Sequence, residues 1–389
     1  MPSGAESSRI PLSIPSLNFA RWAMAGLVVI GHARSLIFRD AHQAGALDLP
    51  WKAFYFATGF GHAAVVVFFV LSGFFVGGKL LETDGPDAAA IRRYLVDRFS
   101  RIYIVLGPVL LLTLALDLVG AGLSPIYAAA GWSTALPAPA ADALNIENFL
   151  ASLLNLTMYF GAPLGSDGPL WSLAFEWVIY LMFPWLLRDG RALAAGRFRG
   201  GTVLRAGLFA LLIALAPALG LWLAIWLAGV AARHWLDRAD RAGARSRSAL
   251  VAALVVAFLG LMAVERTHLL PDWSADLLLG LVAAGLCAQV GIVAWRRAPR
   301  FHGFMAGFSF SLYVVHFPVV LFAVALLQAA GRLPARLAPG AEALGYFAGA
   351  VALAYAAAWL FSTVTEARTH RLRKRLLALW PPKPAATSV

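Results

Sequence analysis

The sequence predicts an all-α polytopic membrane protein of about ten transmembrane helices, and three observations carry that prediction. Of 389 residues, 60% are hydrophobic and 13% charged, against roughly 45–50% and about 25% in soluble globular chains. Apolar runs near 20 residues recur along the whole chain, each long enough to cross roughly 30 Å of hydrocarbon. The basic residues gather in short clusters between these runs, where charge asymmetry across a bilayer would place them.

The runs lie near 17–38, 58–80, 101–120, 170–187, 203–217, 219–235, 248–264, 274–295, 305–328 and 342–362. Pro217 and Gly220 divide the stretch 203–235, as a tight hairpin or as one kinked helix. NFLASLLNLTMYF, at 148–160, is apolar but too short for an ordinary span. Loop charge decides its course. With the N-terminus inside, cytoplasmic segments collect 25 of the 32 Lys and Arg residues. Outside loops hold five: Arg39, Lys52, Arg266, Arg332 and Arg336. This bias survives only if 148–160 does not cross, because every later loop would otherwise change sides. The segment 148–170 is therefore expected to be re-entrant or interfacial on the outer face, with both termini cytoplasmic.

The resulting organisation is a cytoplasmic segment 1–16, a single transmembrane domain 17–366 and a basic cytoplasmic tail 367–389. The N-terminal MPSGAESSRIPLSIPSL lacks a cleavable signal pattern, so the first run is expected to be a retained helix. PPKPAATSV reads as a disordered end. The formal charge of +12 invites a nucleic-acid reading, but no recognised binding motif accompanies it. The single cysteine, Cys287, excludes an intramolecular disulfide and a cysteine-rich metal site. No metal-ligand spacing, phosphate-cradling glycine loop or nucleophile elbow is present, so neither a metal nor a permanently bound cofactor is expected.

Ionisable residues within spans mark function, since burying charge in hydrocarbon is costly. Arg21 and His32 are eleven residues apart on the first helix; at about 100° per residue both project from one face, roughly 16 Å apart along the axis. A snorkelling arginine and a histidine that merely pairs with a neighbouring helix is the competing reading. Arg98 and Arg101, three apart in RFSR, share a face at the cytoplasmic entrance of the third span. They suit a bidentate phosphate clamp or serve as topological anchors. Glu176 is the one acid in GPLWSLAFEWVIYLMFPWLL, about 10 Å below the outer surface. His32 lies about 22 Å from the inner surface of a roughly 30 Å core, so the two depths agree. A carboxylate that supports an imidazole is a recurrent general-base arrangement. Ser172 and Tyr180 flank Glu176 on its helical face. His316, in FSFSLYVVHFPVV, either packs or binds substrate. His234 and Asp237 are read as surface residues. Trp51, Trp132 and Trp273 belong to outer loops, where interfacial belts also use tryptophan.

Five blocks in order resemble the membrane acyltransferase 3 family over most of the chain. NFARWAMAGLVVIGH is similar to its arginine, ten residues, histidine pattern, through Arg21 and His32. VVVFFVLSGFFVGGKLL carries a segment like FFVLSGF at 68–74. RFSRIY resembles the arginine-x-x-arginine motif through Arg98 and Arg101. LWSLAFEWVIYLMFP resembles a W-S-L-x-x-E-x-x-x-Y block through Trp171, Ser172, Glu176 and Tyr180. FSFSLYVVHFPVV resembles a late S-x-Y-x-x-H-x-P block through Ser311, Tyr313, His316 and Pro318. Val66 departs from the polar residue that many relatives carry two positions before FFVLSG. The hydrolase-like domain fused to some relatives is not expected after the short tail.

The resemblance implies an integral membrane O-acyltransferase of the bacterial inner membrane. It would take an acyl group, with acetyl the expected one, from cytoplasmic acyl-CoA. Delivery would be to a hydroxyl of a sugar, polysaccharide or glycolipid at the outer face. Arg98, Arg101 and Arg21 would bind the donor. His32, supported by Glu176, would act as general base or form a transient acyl-histidine. Ser172, Tyr180, Tyr313 and His316 would contact the acceptor or support the site. A transporter or flippase of lipid-linked glycans shares the topology and buried charges, and a silent membrane assembly partner is the third class. Release of free CoA thiol separates the enzyme from both.

Overall fold

A computed structural model describes residues 14–83, 87–133, 135–136, 138–197, 200–241, 248–267, 269–290, 299–333 and 335–379. The helices are α1 (Ile14–Ile37), α2 (Leu49–Ala57), α3 (Gly61–Ser72), α4 (Gly78–Leu81) and α5 (Ala88–Leu123). Then come α6 (Ile146–Leu153), α7 (Trp171–Ala194), α8 (Gly200–Leu215), α9 (Ala218–Arg241) and α10 (Ser248–Glu265). The last are α11 (Asp272–Val290), α12 (Pro299–Gly307), α13 (Ser309–Ala329), α14 (Ala341–Val364) and α15 (Thr369–Leu379). Among the described residues the chain forms no β-strand, only the isolated bridges Phe38–Leu337 and Ser133–Leu136.

A helix covers each apolar segment expected from the sequence. Seven helical stretches are long and apolar enough to cross a membrane among the described residues: Leu49–Leu81, Ala88–Leu123, Gly168–Ala194, Ala218–Arg238, Ser248–Glu265, Ser309–Ala329 and Ala341–Leu379. The other three segments are α1, α8 and α11. In α1, Arg21, His32 and Arg34 dilute the apolar character of 24 residues. Of the two courses left open at Pro217, a tight hairpin or one kinked helix, the chain does not take the single helix: α8 ends at Leu215 and α9 begins at Ala218. Segment 274–295 is helical to Val290, and its remainder, like Arg9, Arg296, Arg297 and the PPKPAATSV end, lies outside the described residues. At about 1.5 Å per residue, the 36 residues of α5 extend about 54 Å, well past a roughly 30 Å hydrocarbon core. Its start is set by Asp87, whose Oδ1 accepts the Ala90 amide at 2.7 Å.

The chain forms two compact units. Among the described residues, one comprises Ile14–Met24 with those of His62–Glu82 and Gly220–Ala306. Within it, α3 and the π-turn that follows it approach α9 closely. A Cβ at Gly73 would lie 1.9 Å from the Trp226 carbonyl oxygen, and one at Gly229 would lie 2.0 Å from that of Val70. Without side chains the two backbones meet directly, the small-residue packing that membrane helices use where burial in lipid gives no hydrophobic drive. Trp226 Nε1 donates to Ser72 Oγ at 3.0 Å. The SG of FFVLSGF is thus a packing element, and a π-turn at Gly73–Gly77 absorbs the extra residue.

The second unit comprises, among the described residues, those of Ala25–Gly61, Thr83–Leu219 and Gly307–Leu379. Its core helix is α13, in which thirteen residues including His316 are buried; α5 and α14 pack on it and α15 lies against α5. The expected non-crossing segment contains only α6, eight residues capped by Asn145, with turns and a 3-10 helix at Gly168–Leu170 after it. Its buried side is polar: the Asn148 amide group donates to Ala143 O and accepts from the Ala162 amide, and Ser152 Oγ accepts from Leu164 N. Its outward side is apolar, with Ile146, Leu150 and Leu154 exposed. A helix turned polar-in and apolar-out suits a lipid-facing interfacial position.

Candidate active site

The expected site residues other than Arg21 lie in the second unit, and they form three groups. The first is an imidazole pair. α1 carries His32 and the buried α13 carries His316, and their rings stack with centroids 5.4 Å apart and planes 24° from parallel. Phe317 presents its edge to His32 at 5.2 Å. His316 Nδ1 lies 2.7 Å from Tyr313 O and 3.1 Å from Leu312 O. Carbonyls only accept, so Nδ1 carries the proton and Nε2 keeps a lone pair. That Nε2 is buried and has no hydrogen-bond partner. His32 is half-buried as a residue, and among the described residues its ring makes aromatic contacts and no side-chain hydrogen bond.

The second group is on α7. Tyr180 Oη donates to Glu176 Oε1 at 2.5 Å, one turn away. The guanidinium of Arg98, from α5, lies over the Tyr180 ring at 5.8 Å. Arg98 Nε is buried without a hydrogen-bond partner, and no carboxylate pairs with Arg98 among the described residues. Nearer the start of α7, Tyr313 Oη donates to Pro169 O at 2.6 Å and lies 2.7 Å from Ser172 Oγ. The phenol has one proton, so Ser172 is the donor to it. Ser172 and Tyr313 thereby tie the start of α7 to α13. Glu176 and His32 form neither a hydrogen bond nor an ion pair: the carboxylate is engaged by Tyr180, and the imidazole by His316.

The third group surrounds Arg101. Its Nη2 lies 3.5 Å from Glu366 Oε1, and its guanidinium sits 6.0 Å over Phe310. Glu366, buried between α14 and α15, also accepts from Ser311 N at 3.0 Å and Ser311 Oγ at 2.9 Å. One turn of α5 away, Asp97 pairs with Arg373 of α15. Sequence reasoning did not single out Glu366, because it is the last residue of the expected transmembrane domain 17–366 and lies past the final apolar run 342–362.

Two other buried acids of the second unit also escaped it. Asp117, on α5, accepts from Ser166 N at 2.6 Å and Ser166 Oγ at 2.8 Å. Asp167 accepts from Thr113 Oγ1 at 2.7 Å. Burial, with the neighbouring Asp117 charge adding to it, holds the Asp167 carboxyl well above the usual carboxylate range. Asp117 carries the same signal as Glu176, an acid within an apolar span. In the first unit, Arg21 shares the unbroken α1 with His32. There, too, His62 Nε2 meets both oxygens of Asp276 at 3.0 and 3.1 Å. No group of three or more His, Cys, Asp or Glu among the described residues could hold a metal ion.

The acyltransferase 3 family model, described as an acyltransferase domain, matches residues 14–360, nearly the whole chain. No curated protein and no solved structure matches it.

Proposed function

The chain belongs to the acyltransferase 3 family and is a multi-pass membrane acyltransferase of non-aminoacyl groups; on that premise we propose its donor, acceptor and chemistry. Acyl-CoA is the donor, acetyl the group, and a hydroxyl of a sugar or glycan-bearing lipid the acceptor. The chain crosses the bacterial inner membrane ten times as a single domain, with both termini cytoplasmic, so the donor enters from inside and the acceptor is modified outside. The basic-residue asymmetry supports this orientation.

The observation that carries the reading is the state of His32. Its ring is stacked on His316 and edged by Phe317, and among the described residues it makes no side-chain hydrogen bond, which leaves an imidazole lone pair for an acceptor proton. In the proposed step His32 takes the proton of the acceptor hydroxyl as the oxygen attacks the thioester carbonyl carbon. The tetrahedral intermediate collapses by breaking the C–S bond, and the imidazolium returns its proton to the leaving thiolate. An ester and free CoA thiol result. Glu176 is the counter-charge acting through space, and Tyr180 holds its carboxylate in place. Arg98, with a buried and unpartnered Nε, supports an anionic donor, and a CoA phosphate would complete its bidentate fork. Arg101 binds beside it. Arg21 is a further donor-binding cation in this proposal, on the helical phase that it shares with His32. Ser172, Tyr313 and His316 support the site.

The test is thiol release by reconstituted protein given acetyl-CoA and a glycan acceptor. Acceptor-dependent CoA release that collapses in H32A is the expected result. Glycan movement without CoA release would replace this reading with a carrier. Without acceptor, a burst of one thiol per protein would identify the acyl-histidine route.

A further inference from the structure

Glu366 lies beyond residues 14–360 that the family model covers, yet its carboxylate is the joint of three helices. Oε2 receives both the amide and the hydroxyl of Ser311, in the first turn of α13. Oε1 faces Arg101 Nη2 of α5 at 3.5 Å. The residue itself sits in the 3-10 turn Glu366–Arg368 that joins α14 to α15. Its side chain is 5% exposed while that of Arg101 is 37% exposed. The acid is thus buried, and the arginine that it holds is partly exposed. An arginine has five N–H donors. A buried carboxylate ion-paired with one end of the guanidinium holds it in place by charge and leaves its N–H donors for a ligand.

The neighbouring cations show that this arrangement is selective. Arg98, three residues earlier on α5, has no acid partner among the described residues and rests on Tyr180. Arg373 of α15 is held by Asp97, which fastens α15 along α5 directly beside the arginine pair. Exposed Arg371, Lys374 and Arg375 continue the positive surface of α15. A buried carboxylate that only neutralised charge would be costly to keep. One already anchored by two Ser311 donors is inexpensive, because those bonds satisfy its desolvated oxygens.

We propose that Glu366 is a positioning residue for the acyl-CoA donor: it orients Arg101 so that the guanidinium, together with Arg98, receives the donor's phosphate groups. The proposal rests on the donor reading above. It assigns the α14–α15 elbow a place in donor recognition, and it explains why α15 is fastened to α5 and not left as a loose basic tail.

The experiment measures equilibrium binding of acetyl-CoA to the full-length protein in detergent, with KM and kcat from thiol release beside it. Glu366→Gln keeps an oxygen for Ser311 and removes the charge that aims Arg101. Donor affinity is expected to fall on the order of three- to tenfold, the scale of one misaligned charge-assisted hydrogen bond, with kcat at saturating donor nearly retained. In an Arg101→Ala background, E366Q should change affinity no further, because residues acting through one contact do not add. A merely structural Glu366 would weaken binding equally in both backgrounds, and that result overturns the proposal, as does tighter binding in E366Q. If R101A itself binds acetyl-CoA as the wild type does, the donor reading of Arg101 fails first. If R101A weakens binding and E366Q does not, only the role of Glu366 fails. Should E366Q not fold, Glu366→Asp withdraws the charge by one methylene; an unchanged affinity there overturns the proposal, and a loss restricted to the Arg101 background supports it.

Discussion

The Tyr180 hydroxyl donates to Glu176 at 2.5 Å across one turn of α7. The same ring carries the Arg98 guanidinium on its face at 5.8 Å. One side chain therefore touches both the acid expected in the chemistry and the cation expected to bind the donor, and the two roles can be separated. Tyr180→Phe keeps the ring and loses the hydroxyl. Its acetyl-CoA affinity should stay within about twofold of wild type while kcat falls about tenfold or more, one charge-assisted hydrogen bond having been lost. Tyr180→Leu should lose both. Equal affinity losses in the two variants would show that the ring face does not hold Arg98 for the donor.

His32→Ala should lower turnover by about 10²–10⁴-fold, the usual contribution of a general base, with the protein still monodisperse in detergent. His316→Ala should lower it less. The stacked rings act together, so the double variant should be no worse than H32A alone. Near-wild-type turnover in H32A would pass the role of base to His316.

Gly73→Ala places a methyl 1.9 Å from the Trp226 carbonyl oxygen, a rigid backbone atom. Overpacking of this kind costs about 1–3 kcal/mol, so Tm in detergent should fall by several degrees. Gly190→Ala is the control, since its new methyl meets nothing within 4 Å. Matching Tm values for the two variants would remove the α3–α9 approach as a determinant of stability.

Asp167 makes stability depend on pH with a defined sign. Burial raises its folded-state pKa, so the folded chain holds the proton above the ordinary carboxylate value of about 3.9, where the unfolded chain has released it. Its contribution is fully favourable below that value and is lost as pH rises through the raised folded pKa. Asp167→Asn should keep the Thr113 hydrogen bond, raise Tm at neutral pH and flatten this part of the profile. A lower Tm at neutral pH together with an unchanged pH slope would show the carboxylate to be ionised and paired.

Orientation can be read by cysteine labelling after Cys287→Ala. Ala162→Cys should react from the outer face only, its side chain being exposed beside α6. Gly165 is unsuitable, because a Cβ there would lie 2.2 Å from Asp117 Oδ2. Labelling of position 162 from the cytoplasm alone would reverse the topology of every later loop.

The sequence by itself determined the membrane class, the place of each apolar helix, the short α6 segment and the motif residues. These are local properties: hydropathy, helical period and the cost of a charge in hydrocarbon are all counted along the chain. Matched depth along two helices also made His32 and Glu176 plausible partners. Depth leaves the rotation of a helix about its axis undefined. Only the tertiary structure set those rotations, turning His32 onto His316, Glu176 onto Tyr180 and Arg101 onto Glu366. It also explained FFVLSGF, whose glycine is needed because the backbone of α9 comes too close for any side chain. Such contacts depend on which faces meet after packing, which no spacing within one segment encodes.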